Sequence, residues 1–182
     1  MAKNTRIGSL EIKTVPTVHG TARVVLLPGH EVEIEHFFPN NQIFLRKVSG
    51  RTHLVQSRLD PRRKFYVKQH LPRPSLGGRL TPVSEAQLAR YVNSLGIANI
   101  KVEEPLAVVF GKPGKSKVMY REVTANFGKN IEMLTPAQTF AYATLIGRLK
   151  QHGITPEDHS IGIDKNGAVH IIDIECWKVE PK

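Results

Sequence analysis

The sequence predicts an α+β domain in a chain of 182 residues. Short runs alternate apolar and polar residues with a period of two, and Gly, Pro and Asn clusters punctuate them, the pattern of half-buried antiparallel strands. Two other segments repeat apolar residues at helical spacing behind capping signals. An apolar fraction of 40% and a charged fraction of 23% are globular rather than disordered values.

Residues 1–41 read as an N-terminal β extension or as the start of the main sheet. Ala22 to Leu27 is apolar and β-branched, and Glu31 to Phe37 (EVEIEHF) alternates acidic and apolar residues as a strand does. Gly20, Pro28-Gly29 and Pro39-Asn40-Asn41 supply the breaks. Three further strands are expected at Gln42 to Val48, Thr52 to Leu59 and Lys64 to Gln69. The short turns Ser49-Gly50-Arg51 and Asp60 to Arg63 make them an antiparallel meander. His70 to Arg79 is rich in Pro and Gly and reads as a loop.

A helix follows, with Leu88, Val92 and Leu95 on one stripe and Gly96 as its stop. Ser84 and Gln87 have capping-box spacing, while Thr81-Pro82 offers a start one turn earlier. Strands are expected near Leu106 to Phe110 and Lys117 to Val123, joined by a Lys-rich turn at Gly111 to Ser116. That turn is not a P-loop, because too few residues separate its glycines. The second helix is the clearest element. Thr135 caps it, Pro136 opens it, Gln138 closes the capping box, Ala141, Leu145 and Leu149 line one face, and Gly153 ends it. Ser160 to Asp164 and Ala168 to Ile174 flank Lys165-Asn166-Gly167, a strong hairpin signal in which Asp164 is a turn residue.

The net charge of +10 is unevenly placed. Arg46 to Arg79 holds ten basic residues against Asp60 alone, a positive field that attracts nucleic acid or an acidic protein. The single cysteine, Cys176, excludes an internal disulfide. With no secretory leader and no stretch near the roughly 20 apolar residues that span a bilayer, a cytoplasmic protein is expected. His152, His159 and His170 do not repeat like a zinc site.

The element order is three strands with an internal Lys68, a helix with an early Glu85, two strands, a long helix, an Asp158 loop, and a hairpin ending at Asp173. This order resembles the protein-kinase-like fold over about residues 42–177, nearest to RIO kinases and lipopolysaccharide (Kdo) kinases. Lys68 in KFYVKQ resembles the family's strand lysine. HGITPED resembles its catalytic loop around Asp158, and Asp173 in IIDIE its metal-binding Asp.

The resemblance implies an N-lobe at 42–124, with a five-stranded antiparallel sheet and one helix, and a reduced helical C-lobe at 125–182. It implies ATP and Mg²⁺ as cofactors and a phosphotransferase that moves γ-phosphate to a hydroxyl acceptor. Lys68 would hold the α and β phosphates and Glu85 would steady its flexible stem. Gly50 and Glu122 would border the nucleotide, Asp173 and Ser160 would ligate the metal, and Asp158 would orient the acceptor hydroxyl.

The pattern departs from the family in places. Pro156 stands where the family has His, and His159 or Ser160 stands where it has the Asn of the second metal. The chain ends nine residues after Asp173, so the second lobe is minimal, or a partner chain or second copy completes it. A pseudokinase that binds nucleotide, or an acidic partner (nucleic acid or protein) through Arg46 to Arg79, without catalysis is the alternative reading.

Overall fold

The computed structural model describes residues 11–27, 32–70, 80–110, 116–128 and 131–180. The expected breaks at Pro28-Gly29 and Gly111 to Lys115, the expected loop over 71–79 and the end of the basic stretch beyond residue 70 lie outside them. In chain order the strands and helices are β1 (Glu11–Thr17), β2 (Gly20–Leu26), β3 (Gln42–Lys47), β4 (Thr52–Ser57), β5 (Lys64–Gln69), α1 (Pro82–Ser94), β6 (Ile100–Val102), β7 (Pro105–Phe110), β8 (Lys117–Arg121), β9 (Ala125–Gly128), α2 (Pro136–Gln151), β10 (Ile154–Thr155), β11 (Ser160–Asp164), β12 (Val169–Ile172) and β13 (Lys178–Val179). The architecture is α+β. Contacts divide the chain into two compact units, one from described residues up to 70 plus 105–122, the other from 80–104 plus 123–180.

The first unit is an antiparallel sheet in the order β1-β2-β7-β8-β5-β4-β3. It has seven strands where the sequence predicts five. The apolar strand β7 (PLAVVF) needs a ladder on both sides, and β2 supplies the second through Val24 opposite Val109 and Val25 opposite Val108. Of the two readings of residues 1–41, β1 and β2 follow the second, as the start of the main sheet. Its core gathers Val24, Val55, Phe65, Val67, Ala107, Val109 and Met119 on one face.

Of the strand expected at Glu31 to Phe37, the described residues 32–37 do not form one. Ile34–Phe37 forms a 3-10 turn that buries Ile34 and Phe37 in this core. An i, i+3 pair shares one side of a 3-10 turn, so two apolar residues at that spacing bury together where alternation would split them. The rings of Phe37 and Phe65 lie 5.0 Å apart, and buried His36 Nδ1 meets Ser57 Oγ at 2.7 Å.

The second unit holds both helices, a sheet in the order β6-β12-β11-β9, and the short β10–β13 pair. β6 runs parallel to β12, and the other pairs are antiparallel. Helix α1, expected beside the five-stranded sheet, packs within this unit on β6 and on the 3-10 turn Ile174–Cys176. It starts at the earlier of the two possible caps: Thr81 Oγ1 accepts from the Ser84 N–H at 3.1 Å, and Ser84 lies inside the helix. Pro82, with its fixed φ and no N–H to satisfy, favours that first position.

Helix α2 has the predicted capping box, with Gln138 N–H donating to Thr135 Oγ1 and Thr135 N–H to Gln138 Oε1. Gly153 takes φ +68°, a left-handed stop that suits glycine. Leu145 and Leu149 are fully buried, each contributing about 1.5–3 kcal/mol of hydrophobic stabilisation. They join Trp177, Ile171 and Val102 in the second core.

Candidate functional site

Strand β12 ends one residue before Asp173, although the sequence predicts it to continue to Ile174. Asp173 adopts φ 67° and ψ 37°, the left-handed region, and starts the 3-10 turn that follows. A non-glycine residue there costs about 1–2 kcal/mol, which an Asp tolerates better than most. The kink turns Asp173 out of the apolar run of β12, so it is half-buried rather than enclosed.

Ladder register then brings the predicted carboxylates together. Ser160 pairs with Ile172 across the hairpin. Asp158, His159 and Ser160 therefore enter the open end of the β11–β12 hairpin where Asp173 leaves it. Asp158 is exposed and Ser160 half-buried. Glu85 stands in the first turn of α1, only 1% exposed. That helix is tied to the turn after Asp173, because Leu80 N–H donates to Glu175 O at 2.8 Å. Glu175 is also buried.

The Asp158 loop is held by its neighbour. His159 Nε2 lies 2.7 Å from the Tyr142 hydroxyl on α2. Its Nδ1 lies against the Glu157 carbonyl, which can only accept, so Nδ1 carries the proton. The imidazole meets the Trp177 ring edge-on at 5.5 Å. Both ring nitrogens are thus committed to the protein, and His159 is not available to a metal; Ser160 is the member of that pair with the suitable oxygen. Burial pushes the Tyr142 phenol above its ordinary pKa. Trp177 is fully buried, and its Nε1 has no hydrogen-bond partner among the described residues.

Lys68 lies in the first unit, on β5 between Thr52 of β4 and Val118 of β8, and is 4% exposed. Alternation sets it on the face opposite Phe65 and Val67. The Gly50 turn sits at this end of β5, since Gln69 N–H donates to Arg51 O at 2.8 Å. A side chain at Gly50 would meet open space. Glu122 lies at the other end, where its N–H donates to Lys64 O at 3.2 Å. Four strand residues, about 13 Å, separate that rung from Lys68.

The sequence reading missed a second polar cluster. His170 Nδ1 lies 2.7 Å from Glu103 Oε1, and its Nε2 lies 3.3 Å from Asp164 Oδ2. Lys101 stands 3.5 Å from Glu103. Asp164 Oδ1 also accepts from Asn166 and Ala168 N–H groups at 2.8 and 2.9 Å. These hydrogen bonds, that from Ala168 foremost, hold the Asp164 carboxyl below its ordinary pKa. The available signal was His170 itself, a polar residue inside the apolar run Val169 to Ile172.

An apolar groove of about 450 Å³ is lined by Leu80, Ser84, Leu88, Tyr91, Ile154 and Val179, among other residues. Among the described residues no group of three His, Cys, Asp or Glu side chains forms a metal cage. No helix among them is long and apolar enough to cross a membrane. No family model matches the chain, and no curated protein matches it.

Proposed function

We propose that this chain is a protein-kinase-like phosphotransferase that uses Mg-ATP. The observation that supports this most is the register of the β11–β12 hairpin, which sets Asp158 and left-handed Asp173 at one end. The oxygen donors there, Asp173 and Ser160, fit a hard cation. Mg²⁺ commonly uses one or two carboxylates together with phosphates and water, so a closed protein cage is not required. Bound there, Mg²⁺ would neutralise phosphate charge.

Asp158, exposed at this end of the hairpin, accepts the proton of the acceptor hydroxyl as that oxygen attacks the γ-phosphorus, the bond to the β–γ bridging oxygen breaks, and ADP leaves. Lys68 binds the α and β phosphates, the role that the family resemblance assigns to it. The Gly50 turn beside Lys68 and Glu122 at the far end of β5 suit the two ends of an extended nucleotide.

The test has two arms. Millimolar Mg-ATP raises the melting temperature, because a ligand that binds the native state stabilises it. Wild type transfers or releases γ-phosphate, and Asp173→Ala falls to background. No melting shift defeats the reading. A shift without transfer leaves the nucleotide-binding pseudokinase.

A further inference from the structure

Among the described residues the seven-stranded sheet ends at two edges, β1 and β3, and they differ. At β1 the edge carries Pro16, Glu11 and Lys13. Proline and charge blunt an edge against pairing. At β3 (QIFLRK) five of six residues are exposed. Ile43, Phe44 and Leu45 are 38%, 60% and 39% exposed, and Val48 and Leu59 are exposed nearby. These five make up half of the exposed large apolar side chains among the described residues, gathered on one edge. No described strand pairs with the outer side of β3, so alternate backbone N–H and C=O groups face outward.

The same edge is basic. Seven Lys and Arg stand between Gln42 and Lys64 against Asp60, which Arg62 and Arg63 already bind. Arg46 and Lys47 are exposed on the strand itself, and exposed Arg58 follows the end of β4. A bulge between Phe44 and Arg46 shifts the alternation, placing Phe44 opposite Val55 and Arg46 opposite Leu54. Apolar and basic side chains are therefore offered on both faces of the sheet.

We infer that β3 docks an extended peptide segment of alternating apolar and acidic residues, which adds to the sheet as an eighth strand. The partner matches the edge backbone for backbone, with its apolar face beside Phe44 and its acidic face beside Arg46 on the opposite face of the sheet. A second copy of the chain would bring two basic edges together, which their charge opposes. Single-stranded nucleic acid would match the charge but would leave the open backbone groups and the aliphatic side chains unused. This inference is independent of phosphotransfer.

The probe is a short fluorescent peptide of alternating Val and Glu, titrated into the full chain and read by anisotropy. Saturable micromolar binding is expected. The same peptide N-methylated on the amides of its pairing edge keeps every charge but cannot complete the ladder, and it binds at least about tenfold more weakly. Arg46→Glu with Lys47→Glu weakens the Val-Glu peptide about tenfold and creates binding of a Val-Lys peptide, at an unchanged melting temperature. Equal binding of the N-methylated peptide overturns strand addition. An oligothymidylate that binds more tightly than the peptide assigns the edge to nucleic acid, and self-association abolished by Phe44→Thr assigns it to a second copy; either result overturns the proposal.

Discussion

The hydroxyl of Tyr142, midway along α2, lies 2.7 Å from Nε2 of His159, next to Asp158 in the loop before β11. One hydrogen bond thus ties the long helix to the loop that carries the proposed proton acceptor. Tyr142→Phe keeps the ring and removes the bond. A loss of about 1 kcal/mol, seen as a fall of a few °C in melting temperature, is expected. Alkaline stability reports on the same group. Its folded pKa is raised by burial, so its contribution is complete below the ordinary tyrosine pKa of about 10 and is lost as pH rises through the folded value. Tyr142→Phe removes that part of the alkaline loss in urea unfolding measured against pH.

Asp173 carries backbone strain at a proposed metal position. Asp173→Gly and Asp173→Ala both remove the carboxylate, but only glycine accepts a left-handed φ without cost. Glycine should be more stable than alanine by about 1 kcal/mol in chemical denaturation. Both variants should lose phosphoryl transfer. Equal stability would mean that the turn relaxes and stores no strain.

Asp164 supplies an acid-side signature. Its pKa is depressed, mainly by the Ala168 N–H, so its contribution is present above the ordinary Asp value of about 4 and is lost as pH falls through the folded value. Asp164→Asn flattens this part of the acid limb of stability. An acid limb identical to wild type would show that the turn does not depend on the charge.

Gly162 on β11 stands under the ring of Phe127 on β9, and an added Cβ would come within 2.6 Å of it. Gly162→Ala should cost about 1–3 kcal/mol by overpacking. Phe127→Leu in the same chain should recover part of that loss, which a thermal melt of the double variant would show. No recovery would place the strain in the backbone of β11 instead.

Elements specified by neighbouring residues were legible in the sequence. Thr135, Pro136, Gln138 and Gly153 fixed both ends of α2, and the turn at Lys165 to Gly167 fixed the β11–β12 hairpin and hence which end carries Asp158 and Asp173. Capping and turn chemistry act within a few residues, so local pattern suffices. The shift of Asp173 from strand to left-handed turn was not legible, because alternation does not record where a ladder stops.

Tertiary structure decided the rest. Val32, Ile34 and Phe37 alternate almost as a strand does, yet an available core made a 3-10 turn the better way to bury them. Strands β1 and β2 joined the main sheet because β7 had an apolar edge to pair, and α1 went to the unit whose core accepts Leu88, Ala89 and Val92. Glu103 and His170 meet across 67 residues, and Tyr142 and His159 across 17. Periodicity and caps report only on neighbours in the chain, whereas a buried polar partner is chosen by the fold that brings it within hydrogen-bond reach.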